Sequence, residues 1–485
     1  AVLLDQNSKL ISSGSYLVAL ALDGSYPGLN NINGIPVSNE ATNKGEISFG
    51  DNSAGLYVKN GASSLNEGSI NLGNNSAGLY GIGAGVSVTN TGNINIGAYS
   101  AGVYLQDGDK ITNNGNITGS GNNTAGLFLK GTGISEINNA GKIELSGNES
   151  AGIYADGTQT NTINNSGEIT VGDSGAGIFN NNFNGTVTNA ADITGGNESA
   201  GIYMNGGTLN HLSGDIKTGF GGAGVYVISG TANLNSGKLA VDDQDEVGIY
   251  GKEGAVIDNN MEINVGQNNY GIILDLGTTL INRNKSVLDE NSVLLYSNNG
   301  SSVINETGAG VKMNASNSIA FYMENGGNLV NKAEIAGDSG IANIGIYTKG
   351  VNLDNSGDIK IGDSLIIDAK DPTLNSYSVG IYNQDSQNFR NTGNIEIGAD
   401  AFGIYVDNNT NEALNTGNIT SDSDGAVGIY TVKGTLKNTG DITLSGDKSI
   451  GIAATLGSKI SNSGKLTING NDSTGIYANL NSAVI

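Results

Sequence analysis

A short phrase recurs along the chain at a nearly constant distance, and this period constrains the fold more than any other feature. The phrase has the form Ser-Ala-Gly-Ile-Tyr, as at Ser150–Tyr154. Its glycine, or the residue in the glycine slot, returns in steps of 23 to 26 residues, with a single step of 35 residues between Gly345 and Gly380. A fixed period in this range is typical of a solenoid, in which each repeat packs only against its neighbours.

The spacing of apolar residues within each repeat identifies the type of solenoid. Apolar and polar residues alternate over short runs, as around Ile169 and Val171, and clusters of Gly, Asn and Asp separate these runs. A period of two predicts β-strands, whereas helical and leucine-rich repeats need other spacings. About 24 residues divide into three strands and three turns. The sequence therefore predicts an all-β fold, a right-handed parallel β-helix of about 18 coils, over residues 41–485.

One asparagine per coil stands two residues before a glycine and four before an aliphatic residue of the third strand. Its parity places it inside a corner of the coil. Stacked amides there can donate to one neighbouring coil and accept from the other, which predicts a structural ladder rather than a ligand site. The ladder predicted from this spacing comprises Asn43, Asn66, Asn90, Asn113, Asn139, Asn165, Asn189, Asn235, Asn259, Asn331, Asn355, Asn391, Asn415, Asn438 and Asn462.

An aromatic residue follows the anchor glycine by two positions in most coils. The residue before it, such as Ile404, and the residue before the glycine are mostly apolar and share the core parity, so the aromatic row should face outward. Stacked rings stabilise one another. The row is either a stabilising stripe or a face for sugar stacking or protein docking. Its members are Tyr57, Tyr80, Tyr104, Phe128, Tyr154, Phe179, Tyr203, Tyr226, Tyr250, Tyr296, Tyr322, Tyr347, Tyr382, Tyr405, Tyr430 and Tyr477, with Ile273 and Ala453 as exceptions.

Three segments depart from the repeat, and departures are where binding sites are expected on a solenoid. Residues 1–40 form an irregular N-terminal coil or cap region. Residues 277–325 keep only degenerate coils, with Arg283 in an asparagine slot. The long step contains an inserted loop at residues 364–378, which is either a structural bulge or a partner-binding loop. The candidate contact residues of this loop are Ile366, Ile367, Asp368, Asp371 and Tyr377.

The residue inventory offers little for catalysis or cofactor binding. The only histidine, His211, should point outward because Leu212 takes the corner position, and the chain has no cysteine. We therefore predict that the protein is not an enzyme and has no metal or other cofactor. Acidic turns at residues 242–246, 363–371 and 422–424 leave Ca²⁺ as an open alternative, although EF-hand spacing is absent. The net charge of −24 argues against a nucleic-acid partner.

The phrases Ser100–Tyr104 and Asn90–Gly97 resemble the passenger domains of type V autotransporters, and among them the large outer-membrane autotransporter adhesins of fusobacteria. The resemblance covers residues 41–485. It implies export to the cell surface, a C-terminal outer-membrane barrel of the same protein outside this chain, and attachment to other bacteria or to host cells through surface glycans or protein receptors.

These observations favour a fragment of a cell-surface adhesin whose β-helix mediates attachment. Two alternatives remain at this point. The chain is a passive stalk that presents a distal binding domain, or it is a polysaccharide-cleaving β-helix enzyme.

Overall fold

A computed structural model describes residues 1–25, 39–157, 161–181, 184–368, 370–409 and 411–485, together with the backbone of 31–32 and 35–36. The chain divides into two compact units, Ala1–Leu239 (unit 1) and Ala240–Ile485 (unit 2).

Each unit is a stack of coils, and each coil contributes one strand to each of three parallel sheets. Neighbouring coils pair in register, so that equivalent residues of the repeat face one another. In unit 1, Asn90 pairs with Asn113 and Tyr80 pairs with Tyr104. The chain is thus an all-β parallel β-solenoid of about 18 turns, which confirms the predicted fold class.

The strands of unit 1 form sheets A, B and C. Sheet A comprises Val2–Leu4, Glu40–Asn43, Ser63–Asn66, Ser87–Asn90, Lys110–Asn113, Ser135–Asn139, Asn161–Asn165, Thr186–Asn189, Thr208–His211 and Thr231–Leu234. Sheet B comprises Lys9–Ile11, Glu46–Phe49, Ser69–Leu72, Asn93–Ile96, Asn116–Gly119, Ile143–Leu145, Ile169–Val171, Ile193–Thr194 and Ile216–Lys217. Sheet C comprises Val18–Asp23, Ala54–Lys59, Ala77–Ile82, Ala101–Gln106, Ala125–Gly131, Ala151–Gly157, Ala176–Asn181, Ala200–Asn205 and Ala223–Ile228.

The strand Lys238–Val241 includes the boundary between the units, and unit 2 repeats the three sheets. Its sheet C comprises Val247–Lys252, Tyr270–Asp275, Val293–Asn298, Ile319–Glu324, Ile344–Lys349, Val379–Gln384, Phe402–Asp407, Val427–Val432, Ile450–Thr455 and Thr474–Ala478. Its sheet A comprises Val256–Asn259, Thr279–Asn282, Ser302–Asn305, Asn328–Asn331, Asn352–Asn355, Phe389–Asn391, Ala413–Asn415, Thr435–Asn438, Lys459–Asn462 and Ala483–Val484. Its sheet B comprises Glu262–Val265, Ser286–Leu288, Val311–Met313, Ile335–Gly337, Ile359–Ile361, Ile395–Ile397, Ile419–Ser421, Ile442–Leu444 and Leu466–Ile468.

Two segments depart from this scheme. Residues 2–23 form a complete coil whose three strands pair with the next coil, although their sequence does not keep the repeat. The segment that follows contains an antiparallel pair, Asn31–Ile32 with Ile35–Pro36. In unit 2, the loop at residues 364–378 contains the 3₁₀ turn Pro372–Leu374.

The core of each unit is a column of aliphatic side chains between the three sheets. Ile153, Ile163 and Ile169 are fully buried in unit 1, as is Ile404 in unit 2, so the row before the aromatic residues faces the core as predicted.

The alanine before the anchor glycine was expected to share the core parity, and for this row the prediction is wrong. Gly152 and Ile153 both face inward, which leaves Ala151 on the outer face of sheet C, where it is half-buried. A Cβ atom on Gly152 would meet the side chain of Ile169 and lie 2.6 Å from the carbonyl oxygen of Gly177. Only glycine fits there, and the two consecutive inward positions shift the alternation by one residue.

Candidate functional site

A stack of aromatic rings runs along the outer face of sheet C in unit 1. Ring centroids of consecutive coils are 4.7–5.4 Å apart, and the ring planes differ by 3–21°. The stack begins where Ala21 pairs with Tyr57. Its members are Tyr57, Tyr80, Tyr104, Phe128, Tyr154, Phe179, Tyr203 and Tyr226.

Unit 2 carries a similar stack, from Tyr296 through Tyr322, Tyr347, Tyr382 and Tyr405 to Tyr430. Burial, reinforced by neighbouring phenols and carboxylates, raises the pKa of Tyr322 and of Tyr382 to about 12. These phenols therefore stay protonated at neutral pH. The exceptions noted in the sequence lie beside aromatic residues, since Ile273 pairs with Tyr250 and Ala453 pairs with Tyr430.

The stacking geometry decides which part of each ring can meet a ligand. Within a stack, both faces of each inner ring lie against the rings of the neighbouring coils, whereas an end ring such as Tyr57, which has Ala21 on one side, stacks on one face only. A ligand on the outer surface therefore meets the edges and the phenol oxygens of the inner rings, and it cannot lie flat on them. Flat stacking of a sugar therefore requires an end ring or an aromatic residue outside the stack.

A groove lies beside the stack in unit 1, with a volume of about 870 Å³ (the N-terminal groove). One wall consists of the ring edges from Tyr57 to Tyr154, and the floor is formed by Ala54, Ala77, Ala101, Ala125 and Ala151. The opposite rim follows the turns that precede sheet C. The rim residues are Tyr16, Leu17, Asn52, Ser53, Asn75, Ser76, Tyr99, Ser100, Asn123, Thr124 and Glu149.

Two tyrosines on this rim have an unusual backbone conformation and exposed rings. Tyr16 and Tyr99 have φ angles of 63° and 55° and are 81% and 64% exposed. In neighbouring coils, the position of Tyr99 is occupied by Asn75 and Asn123, with φ of 52° and 56°. Asparagine tolerates the left-handed region, whereas a bulky residue there is an outlier. Tyr16 and Tyr99 are thus the aromatic rings of the groove that lie outside the stack.

The predicted asparagine ladder of unit 1 lies buried at the corner after sheet A. Each side-chain amide donates to the carbonyl oxygen of the next coil at 2.6–2.8 Å, through Asn43, Asn66, Asn90, Asn113, Asn139, Asn165 and Asn189. Each side-chain amide therefore supplies the hydrogen-bond partners that its neighbours need, without water. The geometry is that of a structural element, as it leaves these groups enclosed.

The ladder of unit 1 continues to His211, which corrects the prediction that this side chain points outward. His211 is fully buried and pairs in register with Asn189. Its Nδ1 lies 3.0 Å from the Asn189 amide nitrogen, and its Nε2 lies 3.0 Å from the carbonyl oxygen of Gly214. Because the amide donates to Nδ1, the imidazole is neutral and Nε2 carries the proton. Burial lowers the pKa of His211 accordingly.

Two further corner assignments from the sequence are wrong. Leu234, and not Asn235, occupies the corner position after His211. In unit 2 the ladder passes through Asn282 and Asn305, so Arg283 is not in an asparagine slot. Arg283 lies on the surface and forms a two-point ion pair with Asp258, at 2.6 and 2.9 Å. The ladder of unit 2 comprises Asn259, Asn282, Asn305, Asn331, Asn355, Asn391, Asn415, Asn438 and Asn462.

Sequence reasoning missed a second ladder, made of hydroxyl groups at the turn before sheet C. The backbone N–H of Ser53 donates to Oγ of Ser76, and that of Ser76 donates to Oγ of Ser100, both at 3.0 Å. Thr124 and Ser150 continue the series. The signal was present in the recurring Ser or Thr of the phrase. These bonds fix the turns that carry the rim of the N-terminal groove.

The loop at residues 364–378 projects from a turn of unit 2. Its base is closed by an antiparallel bridge between Leu365 and Ser376. Ile367 is 64% exposed, and Ile366 and Tyr377 are half-buried. The ring of Tyr377 meets that of Phe402 edge to face.

Hydrogen bonds within this loop fix the two acidic residues predicted to be contacts. The Asp371 side chain accepts from the backbone N–H of Thr373 and caps the 3₁₀ turn. The Asp368 side chain accepts from the backbone N–H of Lys370. The loop therefore exposes the apolar side chain of Ile367. Tyr377 also links the loop to the aromatic stack of unit 2, because the ring of Phe402 meets those of Tyr405 and Tyr430 edge to face.

The acidic turns show no arrangement typical of a metal site. Among the described residues, no group of three or more His, Cys, Asp or Glu side chains could hold a metal ion. Glu246 is buried, and its carboxylate accepts from the backbone N–H of Asp243 at 2.7 Å. The Glu246 carboxylate is thus hydrogen-bonded within its own turn.

A comparison with protein families shows what part of the chain is similar to. The model of the BigA third pectate lyase-like domain matches residues 197–430, so this part of the chain is similar to a β-helix domain of a bacterial surface protein. The matched range does not include the N-terminal groove. No curated protein and no solved structure gives a significant match. None of the helices in the described residues has the length and hydrophobicity needed to cross a membrane.

Proposed function

We propose that the chain is part of a bacterial cell-surface adhesin whose β-solenoid attaches the cell to other bacteria or to host cells. The N-terminal groove is the observation that carries this proposal. A solenoid that served only as a spacer would need no open groove with exposed aromatic side chains. The similarity of residues 197–430 to a domain of a bacterial surface protein supports the location at the cell surface. We further propose export as the passenger of a type V autotransporter, on the strength of the repeat phrases.

The loop at residues 364–378 is proposed as a second contact point, with Ile366, Ile367, Asp368, Asp371 and Tyr377 as its contact residues. Its exposed apolar tip suits a protein receptor, because burial of Ile367 would contribute about 1.5–3 kcal/mol to binding. The acidic side chains would then surround the contact as a polar rim.

Competition for attachment tests the proposed function. Purified chain is added to bacteria that display the full-length protein, and their attachment to partner bacteria and to cultured epithelial cells is counted. We expect inhibition that rises with concentration. If the chain leaves attachment unchanged at saturating concentration, the passive stalk explains the protein better.

The contribution of the loop is tested with a variant that keeps the solenoid intact. Residues Ser364–Tyr377 are replaced by a single asparagine, which restores the short turn found before Phe402, and Ser378 is kept. Ser378 must stay because its hydroxyl accepts from the backbone N–H of Asn343. Weaker inhibition by this variant would support the loop as a contact, and undiminished inhibition would remove it from the proposal.

A polysaccharide-cleaving enzyme is the competing function, and it rests on the name of the matched domain. Incubation of the chain with polygalacturonate, followed by absorbance of unsaturated products and by reducing-end assays, tests it. Turnover that survives rigorous purification would favour the enzyme over the adhesin.

A further inference from the structure

We infer that the N-terminal groove binds a linear, uncharged glycan, with sugar rings lying against the exposed faces of Tyr16 and Tyr99. This inference rests on the proposed function and names the ligand class of its groove. The chemistry of the lining, the backbone conformation of the rim and the spacing of the coils each support it.

The rim tyrosines provide exposed ring faces, whereas the inner rings of the stack present only their edges. Tyr99 occupies a left-handed turn position that Asn75 and Asn123 fill in the adjacent coils. A bulky residue in this region costs stability, and such strain concentrates at functional positions. Tyr16 has the same conformation at the start of the groove. The two tyrosines are exposed on the same rim, opposite the wall of phenol edges.

The rest of the lining can satisfy hydroxyl groups. The side-chain amides of Asn75 and Asn123 make no hydrogen bond to any residue that the structure describes, although their backbone N–H groups are bonded. An amide can both donate to and accept from a sugar hydroxyl. The floor is a narrow apolar strip, in which Ala77, Ala101 and Ala125 are 7–9% exposed, and the wall adds phenol oxygens. Small apolar groups beside unused amides suit a carbohydrate.

The charge of the groove selects among glycans. Among the described residues that line the groove, Glu149 is the only charged one and none is Lys or Arg, and the chain carries a net charge of −24. An anionic polymer would be repelled and would find no cation to pair with. The ligand is therefore uncharged, in contrast to polygalacturonate.

The backbone of the groove disfavours a peptide. Peptides often bind by adding a strand to a free sheet edge. Here the N–H groups of Ala77, Ala101 and Ala125 already donate to the preceding coil at 2.9–3.0 Å. Sheet C therefore offers no free edge along the floor from Ala77 to Ala125. Side chains alone must bind the ligand, which favours a polymer of hydroxyl groups and ring faces.

The spacing of the groove favours a linear chain. Each coil adds one alanine to the floor and one ring to the wall, and the rings of Tyr80 and Tyr104 are 4.8 Å apart. A chain of pyranose rings linked end to end repeats on the same scale. We therefore expect affinity to rise with chain length up to about five sugar rings, one for each alanine of the floor.

The test combines glycan binding with variants that the turns tolerate. Neutral oligosaccharides of defined length (gluco-, manno-, xylo- and galacto-configured) and oligogalacturonate are titrated into the full chain by calorimetry. The Tyr16→Asn and Tyr99→Asn variants introduce an amide that suits a left-handed turn, so their thermal midpoints should stay equal or rise. Binding of the neutral series should weaken about tenfold in each variant. Phe220→Asn, at an exposed turn of unit 1 outside the groove, is the matched control.

Each outcome separates the inference from the proposed function. The inference is supported if the wild type binds neutral glycans, the Tyr16→Asn and Tyr99→Asn variants bind them about tenfold more weakly, and the Phe220→Asn variant binds them as the wild type does. No binding of any neutral series, a preference for oligogalacturonate, or binding by both rim variants that is as tight as that of the wild type overturns it. If the wild-type chain inhibits attachment and the rim variants inhibit as strongly as the wild type, the proposed adhesin function is kept and the glycan-binding role of the groove is rejected. If the wild-type chain fails to inhibit attachment, the proposed adhesin function is rejected, whatever the calorimetry shows.

Discussion

Replacing Asn165 by alanine should open the solenoid locally, because the ladder encloses this side chain between two coils. Asn165 accepts from the amide of Asn139 at 2.7 Å and donates to the oxygen of Asn189 at 2.6 Å. Alanine removes both partners at once. The N–H of Asn139 then lacks an acceptor, and the carbonyl oxygen of Asn189 lacks a donor.

The magnitude follows from the number of groups left without a partner. A buried polar group without a hydrogen bond costs about 1–3 kcal/mol, so two such groups cost about 2–6 kcal/mol. Asn164 is the matched control, since it precedes Asn165 in the same strand and is half-buried on the outer face. Its amide donates to Asn138 at 2.9 Å. Water can replace that partner, so Asn164→Ala should cost less than about 1 kcal/mol.

Hydrogen exchange on the full chain is the appropriate assay, because a solenoid opens in segments and a single global transition is not assured. Exchange rates of the amides in Asn161–Asn165 and Thr186–Asn189 give the free energy of local opening in each variant. If Asn165→Ala and Asn164→Ala lower that free energy by the same amount, within about 0.5 kcal/mol, the ladder is not the stabilising element that its geometry indicates.

Two further predictions concern the buried histidine and the anchor glycine. Burial lowers the pKa of His211 from 6.5, against the opposing effect of nearby Asp192 and Asp215, so the unfolded chain binds a proton more readily than the native chain. Stability should therefore fall as pH drops below about 6.5, and His211→Asn should reduce the loss of thermal midpoint between pH 7 and pH 5. An unchanged loss would contradict a neutral, buried imidazole whose pKa is lowered. Gly152→Ala should lower the free energy of unfolding by about 1–3 kcal/mol, because the added methyl group clashes with the core. In the control variant Gly133→Ala, the added methyl group meets no atom within 4 Å, so the free energy of unfolding should stay nearly unchanged. Equal urea midpoints of the two variants would contradict the predicted clash.

The corner positions show where sequence reasoning reached its limit. The predicted ladder relied on a constant distance of four residues between the asparagine and the next core residue. After His211 and after Leu234 the turn is one residue longer, and Gly214 and Gly237 take positive φ there. Because of the extra residue, counting back four positions placed the corner at Leu212 and Asn235, one residue after the true corner positions.

Arg283 was misassigned for a different reason. In that coil the inward residue is the buried Ser286, which pairs with Ile263, so the apolar Val287 does not mark the core. A rule based on hydrophobicity places the strand one residue off when a polar residue takes the core position. Pairing in register with the neighbouring coil then decides which residue faces inward.

The sequence by itself determined the fold class, the coil length, the outward aromatic row and most of the buried ladder, because each depends on a period that is local to one repeat. Only the tertiary structure decided that the ring faces of the stack are covered and that Tyr16 and Tyr99 share a groove with the ring edges of Tyr57 and Tyr104. These residues come from three coils, since only Tyr99 and Tyr104 share one. They meet because the coils stack in register, and a local pattern does not specify which turns lie side by side.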